Sequence, residues 1–299
     1  MCNNLTFLSN PVKRVQLLIH LTLWTFSVDS LEGWAIVRGV ALTLVSMKFK
    51  NLKFLSFGEL MKQEPQNPTA YLWQKSLSVD NEFCKAVVSS GYLTWEQMIE
   101  AALAYRIGAT RQGGEIFWQI DKDDYVNDGK VMYYRPDCHR DKARHPTWVS
   151  YLLRKRQKTP LTGAGSTHCL FGAHLLAERR DVKTVAIVEA EKTAFILSQH
   201  YPQYIWLAAG GLTELQVEKF RPLCGRKVVL FPDADPEGVA YQRWHEIARE
   251  VEKQLFWEDE GPIFVSKILE ERASVEQKAQ KIDLIEFLFE EPKNSAVIQ

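Results

Sequence analysis

The sequence lacks the cysteine pattern of a disulfide-stapled or zinc-binding protein. Its 299 residues include five cysteines, an odd number, and no two of them form a Cys-x-x-Cys pair. This usage indicates a reducing, cytoplasmic setting and argues against a disulfide framework. Cys138-His139 with His145, and His168-Cys169, do not have the paired spacings of structural zinc sites, so we expect no zinc at either place.

The chain also lacks an excess of one charge and any apolar run of transmembrane length. Lys plus Arg and Asp plus Glu number 37 each, so a surface for nucleic acid must be local. The apolar runs at residues 15–26 and 34–45 are shorter than the ~20 residues that span a bilayer. We therefore expect no membrane partner.

The first 46 residues read differently from the rest of the chain. We predict that 1–66 is a separate N-terminal segment, either disordered or upstream of the true start of translation. Translation from Met47, with its basic start Met-Lys-Phe-Lys, is favoured over a membrane anchor. No internal repeat is visible.

Beyond residue 180, apolar β-type runs alternate with helical patterns. The strands are predicted at 185–188, 204–208, 227–231 and 263–265, and the helices at 192–200, 213–223 and 239–253. Alternation with short connections predicts a parallel sheet flanked by helices. Residues 181–299 are therefore expected to form an α/β domain.

Residues 67–180 predict a smaller α+β region. Thr94-Trp-Glu-Gln97 has the form of a capping box that opens a helix ending near Tyr105. A strand at 115–121, a turn at Asn127-Asp-Gly129 and a second strand at 130–134 then predict a β-hairpin.

Carboxylates end two of the predicted parallel strands. Glu189 follows the run Val-Ala-Ile-Val, and Asp233 and Asp235 follow Val-Val-Leu-Phe-Pro. Ligands of open parallel sheets bind beyond the carboxyl ends of the strands, so the three side chains are expected around one pocket. Such oxygen ligands suit Mg²⁺ or Mn²⁺. Glu189 either binds the metal or acts as a general acid or base.

Two further residues are candidates at this pocket, each with an alternative. Lys192 lies in the first turn of the following helix, where it either holds a phosphate or pairs with Glu191 at the surface. Asp283 is either another metal ligand or the N-cap of the last helix, which contains Glu286.

A basic segment lies between residues 130 and 158. It holds nine Lys or Arg residues against two acids, and aromatic residues are interleaved with them. Cations neutralise phosphates and rings stack on bases, so the segment suits single-stranded nucleic acid. The alternative is a solvated basic loop with core aromatics. The candidate contacts are Arg135, Arg140, Lys142, Arg144, Arg154, Lys155, Arg156 and Lys158.

These motifs resemble the Toprim domain, the metal-binding catalytic fold shared by DnaG-type primases, topoisomerases and some nucleases. The strand ending in Glu189 resembles its first motif, with Ala190 in place of the usual glycine. Asp233-Ala-Asp235-Pro-Glu-Gly238 resembles its second. Upstream stretches, such as Leu170-Phe-Gly172, extend the similarity to primase-like Toprim proteins of bacterial mobile and conjugative elements.

The resemblance implies an α/β Toprim fold and a primase-like enzyme acting on single-stranded DNA and nucleoside triphosphates with Mg²⁺ or Mn²⁺. The zinc ribbon that often precedes this region is not found, so a helicase or a separate zinc-containing template-binding protein is an expected partner. A non-catalytic accessory protein of a mobile element and a Toprim-type nuclease stay open as alternatives.

Overall fold

The computed structural model describes residues 35–37, 40–42, 68–157, 168–255 and 263–290. The chain divides into two compact units, 1–64 and 65–299. In the first unit, strand β1 (Ala35–Val37) pairs antiparallel with β2 (Val40–Leu42). The predicted start at Met47 lies outside the described residues, as does most of the predicted N-terminal segment. The boundary predicted at 180/181 falls inside the second unit and stays a prediction.

The second unit contains helices, a 3₁₀ helix and two four-stranded sheets. Its α-helices are α1 (Pro68–Ser76), α2 (Glu82–Ser89), α3 (Trp95–Ala104), α4 (Val149–Gln157), α5 (Leu175–Glu178), α6 (Glu191–His200), α7 (Val239–Leu255), α8 (Ile268–Arg272), α9 (Val275–Gln280) and α10 (Leu284–Glu290). Its strands are β3 (Gly108–Ala109), β4 (Glu115–Ile120), β5 (Val126–Met132), β6 (Thr147–Trp148), β7 (Thr184–Val188), β8 (Ile205–Ala208), β9 (Lys227–Phe231) and β10 (Phe264–Val265). No helix among the described residues is long and apolar enough to cross a membrane.

The first sheet is antiparallel, in the order β3-β4-β5-β6. The predicted capping box at the start of α3 is confirmed: the Thr94 side chain accepts from the Gln97 amide, and the Gln97 side chain accepts from the Thr94 amide. Reciprocal bonds of this kind satisfy amides that the first helical turn leaves free. Together with the helices α1 to α3, this sheet forms an α+β region, as predicted.

The predicted turn at Asn127-Asp-Gly129 is wrong, because these residues lie inside β5. Asp128 is buried and accepts hydrogen bonds from the backbone amide and hydroxyl of Ser150 at 3.0 and 2.6 Å. A Cβ on Gly129 would lie 2.8 Å from the Trp118 ring, so glycine is needed for packing rather than for a turn. The chain reverses earlier, at Asp124, whose φ of 65° is left-handed.

The second sheet is fully parallel, in the order β10-β9-β7-β8, with helices in its connections. This confirms the predicted parallel sheet flanked by helices. The predicted helix 213–223 is instead a 3₁₀ helix over Val217–Leu223. Pro222 lies inside it. Proline has no amide hydrogen to donate to an α-helical hydrogen bond, and its ring clashes with a carbonyl of the preceding turn.

One hydrophobic core joins the two sheets. Phe83 of α2 packs on Phe195 of α6 with ring centroids 5.1 Å apart. The buried hydroxyl of Tyr105 donates to the carbonyl of Trp206 in β8 over 2.8 Å. The helices next to the first sheet therefore pack against α6 and β8, the elements beside the strand ends that carry the carboxylates.

Candidate functional site

The carboxylates predicted to converge do meet at one edge of the parallel sheet. Glu189 follows β7 and Asp233 follows β9, and these two strands are paired with Val188 opposite Phe231. The backbone amide of Asp233 donates to Oε1 of Glu189 over 3.3 Å. The adjacent parallel strands therefore place the two acids in contact, and we refer to Glu189 and Asp233 as the carboxylate pair.

The two carboxyls of the carboxylate pair are buried next to other acidic side chains. Burial, together with repulsion from Asp235, raises the pKa of Glu189 to about 7. Burial and repulsion from Glu189 and Asp283 raise the pKa of Asp233 well above its ordinary value. Both carboxyls therefore hold protons more tightly than exposed acids do, as expected where like charges share a poorly solvated site.

Asp235 has a different environment, because its oxygens cap helix α7. Oδ1 accepts from the amides of Glu237 and Val239 at 3.0 and 3.1 Å, and Oδ2 accepts from Ala240 at 2.8 Å. Burial opposes ionisation, but these bonds outweigh it and lower the pKa of Asp235. Asp235 is therefore an ionised residue that fixes the helix start beside the carboxylate pair.

Lys192 is paired inside the protein, but not with Glu191, the alternative partner predicted for it. Its buried ammonium lies 3.0 Å from Oδ2 of Asp283 and 3.2 Å from Oε1 of Glu286. Burial opposes the charge, but Asp283 and Glu286 raise the pKa of Lys192 above its ordinary value. The lysine is therefore charged and paired within the protein.

Asp283 has the N-cap geometry that was one of its two predicted roles. Its Oδ1 accepts from the amide of Glu286 at 2.9 Å, and its Oδ2 accepts from the hydroxyl of Thr193 at 2.9 Å. Burial works against ionisation, but Lys192 and these donors lower the pKa of Asp283. Both oxygens are thus engaged by side-chain or backbone donors from α6 and α10.

Glu191 pairs with a residue that the sequence did not single out. Lys130 of β5 donates to both oxygens of Glu191, at 3.0 and 3.1 Å, and to the carbonyl of Gly210 at 2.8 Å. The lysine was visible only as part of the basic segment. Its role depends on contacts 61 and 80 residues away along the chain, and no local pattern signals them.

Within the described ranges, no group of three or more His, Cys, Asp or Glu side chains is arranged to hold a metal ion. The four predicted metal ligands instead form two arrangements. The Glu189 carboxylate accepts from the backbone amide of Asp233, whereas Asp235 and Asp283 each use their oxygens at the start of a helix.

The predicted nucleic-acid contacts fall into engaged and exposed groups. Arg144 is engaged by Glu82 and Asp141 at 2.6 and 2.7 Å, and Arg135 is paired with Asp137. Arg140, Lys142, Arg154 and Lys155 are exposed. Arg156 belongs to α4 but its side chain is outside the description, and Lys158 lies beyond the described residues. Part of the basic segment is thus a free cationic surface.

The aromatic residues of the basic segment also have different environments. Tyr134 is buried in the core, which makes it unavailable for stacking on a base. Tyr133 is covered by the Arg144 guanidinium at 4.2 Å, and Trp148 stacks on His168 with centroids 4.0 Å apart. Tyr151 of α4 is 54% exposed. Of these four rings, Tyr151 is the one most open to solvent.

Comparison with known families identifies the region that contains the carboxylate pair. The profile of a family described as "Domain of unknown function (DUF6371)" matches residues 81–234, just over half of the chain. The chain belongs to this family. A search of curated proteins finds no significant match.

Proposed function

We propose that this member of the DUF6371 family is a Toprim-type, primase-like enzyme that transfers nucleotidyl or phosphoryl groups on single-stranded DNA. Its substrates are the DNA template and nucleoside triphosphates, and its setting is the replication or mobilisation of a mobile element. The observation that supports the proposal best is the contact between Glu189 and Asp233 at the ends of adjacent parallel strands.

The donor set of this site fits a divalent cation. Glu189 and Asp233 supply hard oxygen ligands, and their pKa values are raised by burial and by repulsion from neighbouring carboxylates. A cation that displaces the protons gains both the ligands and the relief of repulsion. Glu189 and Asp233 would hold Mg²⁺ or Mn²⁺, and ionised Asp235 would add negative charge beside them.

When bound, the ion would stabilise the charge that develops around phosphorus during transfer. The protein's own residues would position it and handle the proton. Glu189, with a pKa of about 7, can hold and release a proton near neutral pH. Lys192 would act on the site through the alignment of α6 and α10, because its ammonium is already bound by Asp283 and Glu286.

The DNA-binding part of the proposal depends on the exposed members of the basic segment. Arg140, Lys142 and Lys155 are free to approach phosphates, and Tyr151 offers an exposed ring for stacking. A cationic surface with an accessible aromatic side chain is typical of sequence-tolerant single-strand binding. Arg144 would stabilise the fold instead, because it joins Glu82 to Asp141.

Primer synthesis tests the proposal. The full chain is incubated with single-stranded DNA, labelled nucleoside triphosphates and Mg²⁺ or Mn²⁺, and compared with Asp233→Asn and with Asp123→Asn as a matched control. Asp123 is an exposed residue of the β4–β5 turn, so its substitution removes one carboxylate away from the site. Labelled oligonucleotides from the wild type and the control, but not from Asp233→Asn, support the primase-like function.

Two other results would replace the proposal by one of its alternatives. Metal-dependent shortening of the DNA, lost in Asp233→Asn, would identify a nuclease. DNA binding without synthesis or cleavage under any metal would identify a non-catalytic accessory protein.

A further inference from the structure

A cavity of about 550 Å³ lies apart from the carboxylate pair. The cavity is lined by residues of the β4–β5 turn, the start of β5, the segment 168–176, and the 3₁₀ helix with the residues just before it. Glu189, Asp233 and Asp235 are not among its lining residues. Its volume lies in the range of pockets that enclose small organic ligands, roughly 300 to 1,000 Å³.

One part of the cavity wall is apolar. Leu170, Ala173 and Leu176 contribute from one side and Pro222 and Leu223 from the 3₁₀ helix. Leu170, Ala173 and Leu223 are otherwise almost fully buried in the core, so this part of the wall is held by rigid packing. It suits the apolar or aromatic body of a ligand.

Lys219 is a buried cation on the wall of this cavity, with weak contacts inside the protein. It is 8% exposed, yet its ammonium is 4.0 Å from Oε2 of Glu214 and 3.5 Å from the carbonyl of Ala209. Burial lowers the pKa of Lys219, and Glu214 compensates only in part. An ammonium has three hydrogen-bond donors, and both of these contacts are longer than an ordinary hydrogen bond.

Lys130 provides an internal comparison for Lys219. Its ammonium is also largely buried, but it makes three contacts of 2.8 to 3.1 Å with Glu191 and Gly210. Lys130 therefore has a full set of hydrogen-bond partners, whereas Lys219 has only long contacts and lines a cavity. A negatively charged ligand oxygen would give Lys219 the close contact that Glu214 and Ala209 do not.

The acidic residues of the cavity give Lys219 no contact shorter than 4.0 Å. Oδ1 of Asp121 accepts from the amides of Asp123 and Tyr125 at 2.9 and 3.0 Å, which shapes the turn. Glu218 is exposed, and the side chain of Glu214 is 42% exposed. Of these three acids, Glu214 reaches Lys219, but only at 4.0 Å, whereas Asp121 is bound within the turn and Glu218 is exposed to solvent.

His168 adds a fixed polar group to the wall. Its Nε2 lies 3.5 Å from Oδ2 of Asp128, and its ring stacks on Trp148. Asn127 and Gln216 add side-chain amides to the lining. The cavity thus combines one buried cation, hydrogen-bonding side chains, three carboxylates at its turn and solvent sides, and an apolar wall.

We propose that this cavity binds a small organic anion, with a carboxylate or phosphate on Lys219 and an apolar or aromatic body against the Leu170–Leu176 side. The inference is independent of the chemistry at the carboxylate pair.

Calorimetric titration of the full chain with two pairs of probes tests the inference. Adenosine monophosphate is compared with adenosine, and benzoate with benzamide, so that each pair differs in the anionic group. Excess chelator keeps divalent ions away from the carboxylate pair. The variants are Lys219→Met, with Lys219→Arg to retain the charge and Lys227→Met as a control at an exposed lysine.

We expect at least one anion to bind about tenfold or more tightly than its neutral counterpart, because a charged hydrogen bond to a buried ammonium is strong. Lys219→Met should abolish this preference, whereas Lys227→Met should keep it and Lys219→Arg should keep part of it. Binding of adenosine monophosphate would indicate a phosphate ligand, and binding of benzoate a carboxylate ligand.

Three results would overturn the inference: no binding by any probe, equal binding within both pairs, or an anion preference that survives in Lys219→Met. If Lys219→Met does not fold, Lys219→Arg and a Gln216→Ala variant together decide. Anion affinity and selectivity that are unchanged in both variants would place the bound anion elsewhere. None of these results depends on whether the chain synthesises primers.

Discussion

The backbone amide of Asp233 donates a hydrogen bond to Oε1 of Glu189 over 3.3 Å, so the acids that end two neighbouring strands are in direct contact. The geometry follows from the parallel pairing of β7 and β9. Burial and the neighbouring carboxylates raise the pKa of both carboxyls, although the Asp233 amide by itself lowers the pKa of Glu189. A cation is the natural partner of such a pair, and the first prediction concerns its effect on stability.

Mg²⁺ or Mn²⁺ should stabilise the wild-type protein against thermal unfolding. Binding to the folded state alone adds about 2.7 kcal/mol when the free ion is at a hundredfold excess over its dissociation constant. Asp233→Asn should melt higher than the wild type in chelator at pH 8, because it removes the repulsion of Glu189, and should lose the metal-dependent shift. Differential scanning calorimetry with and without the ion measures both effects, and Asp123→Asn should behave as the wild type. An equal metal shift in Asp233→Asn would place the ion elsewhere.

Lys192→Met should destabilise the fold strongly. The substitution leaves Asp283 and Glu286 without their shared cation, and breaking a buried ion pair typically costs about 3–5 kcal/mol. Adding Asp283→Asn should recover part of the loss, because the unpaired buried charge is then removed as well. Urea unfolding of the two single variants and the double variant gives the coupling energy. Strictly additive losses would show that the pair does not couple.

Glu115 should make stability fall as the pH rises. Its carboxyl is fully buried, neither oxygen has a hydrogen-bond partner among the described residues, and burial raises its pKa from 4.5 to about 8. Between these values the folded state keeps a proton that the unfolded state has lost, so stability decreases by up to about 1.4 kcal/mol per pH unit. Glu115→Gln should flatten this dependence in denaturant unfolding between pH 5 and 8. Glu100→Gln, at an exposed helix position, should not.

Removing the charge of exposed basic residues in the basic segment should have a different effect from removing the charge of Arg144, which is ion-paired. Arg140→Gln and Lys142→Gln should weaken single-stranded DNA binding and reduce the slope of log K against log salt by about 0.7 for each phosphate that is no longer neutralised. Arg144→Gln should instead lower thermal stability, because it frees Glu82 and Asp141. Fluorescence anisotropy over a salt series separates the two effects. Unchanged slopes in Arg140→Gln and Lys142→Gln would remove these residues from the interface.

The parallel sheet and the meeting of its carboxylates were predictable, because strand ends in such a sheet share one edge. The partners of Glu191 and Lys192 were not. These adjacent residues bond to different parts of the fold, Glu191 to Lys130 of the first sheet and Lys192 to Asp283 before α10. Such pairings depend on tertiary packing, which local spacing does not encode.

The misplaced turn at Asn127-Asp-Gly129 has a similar origin. Its composition is that of a hairpin turn. However, Asp128 is held by Ser150, 22 residues further along, and Gly129 is required by the bulk of Trp118. Long-range hydrogen bonding and packing thus override the local turn preference. The buried position of Tyr134 among the basic residues likewise reflects the core rather than the neighbouring charges.

The most direct test of the metal site is cleavage of the chain by bound iron. Fe²⁺ replaces Mg²⁺ at oxygen-ligand sites, and with ascorbate and peroxide it cuts the nearby backbone. Mass spectrometry then locates the cuts. We predict fragments that end near residues 189 and 233, suppressed by excess Mg²⁺ and missing in Asp233→Asn. Cuts elsewhere that Mg²⁺ suppresses, or no Mg²⁺-sensitive cut at all, would contradict a divalent metal site at the Glu189–Asp233 pair.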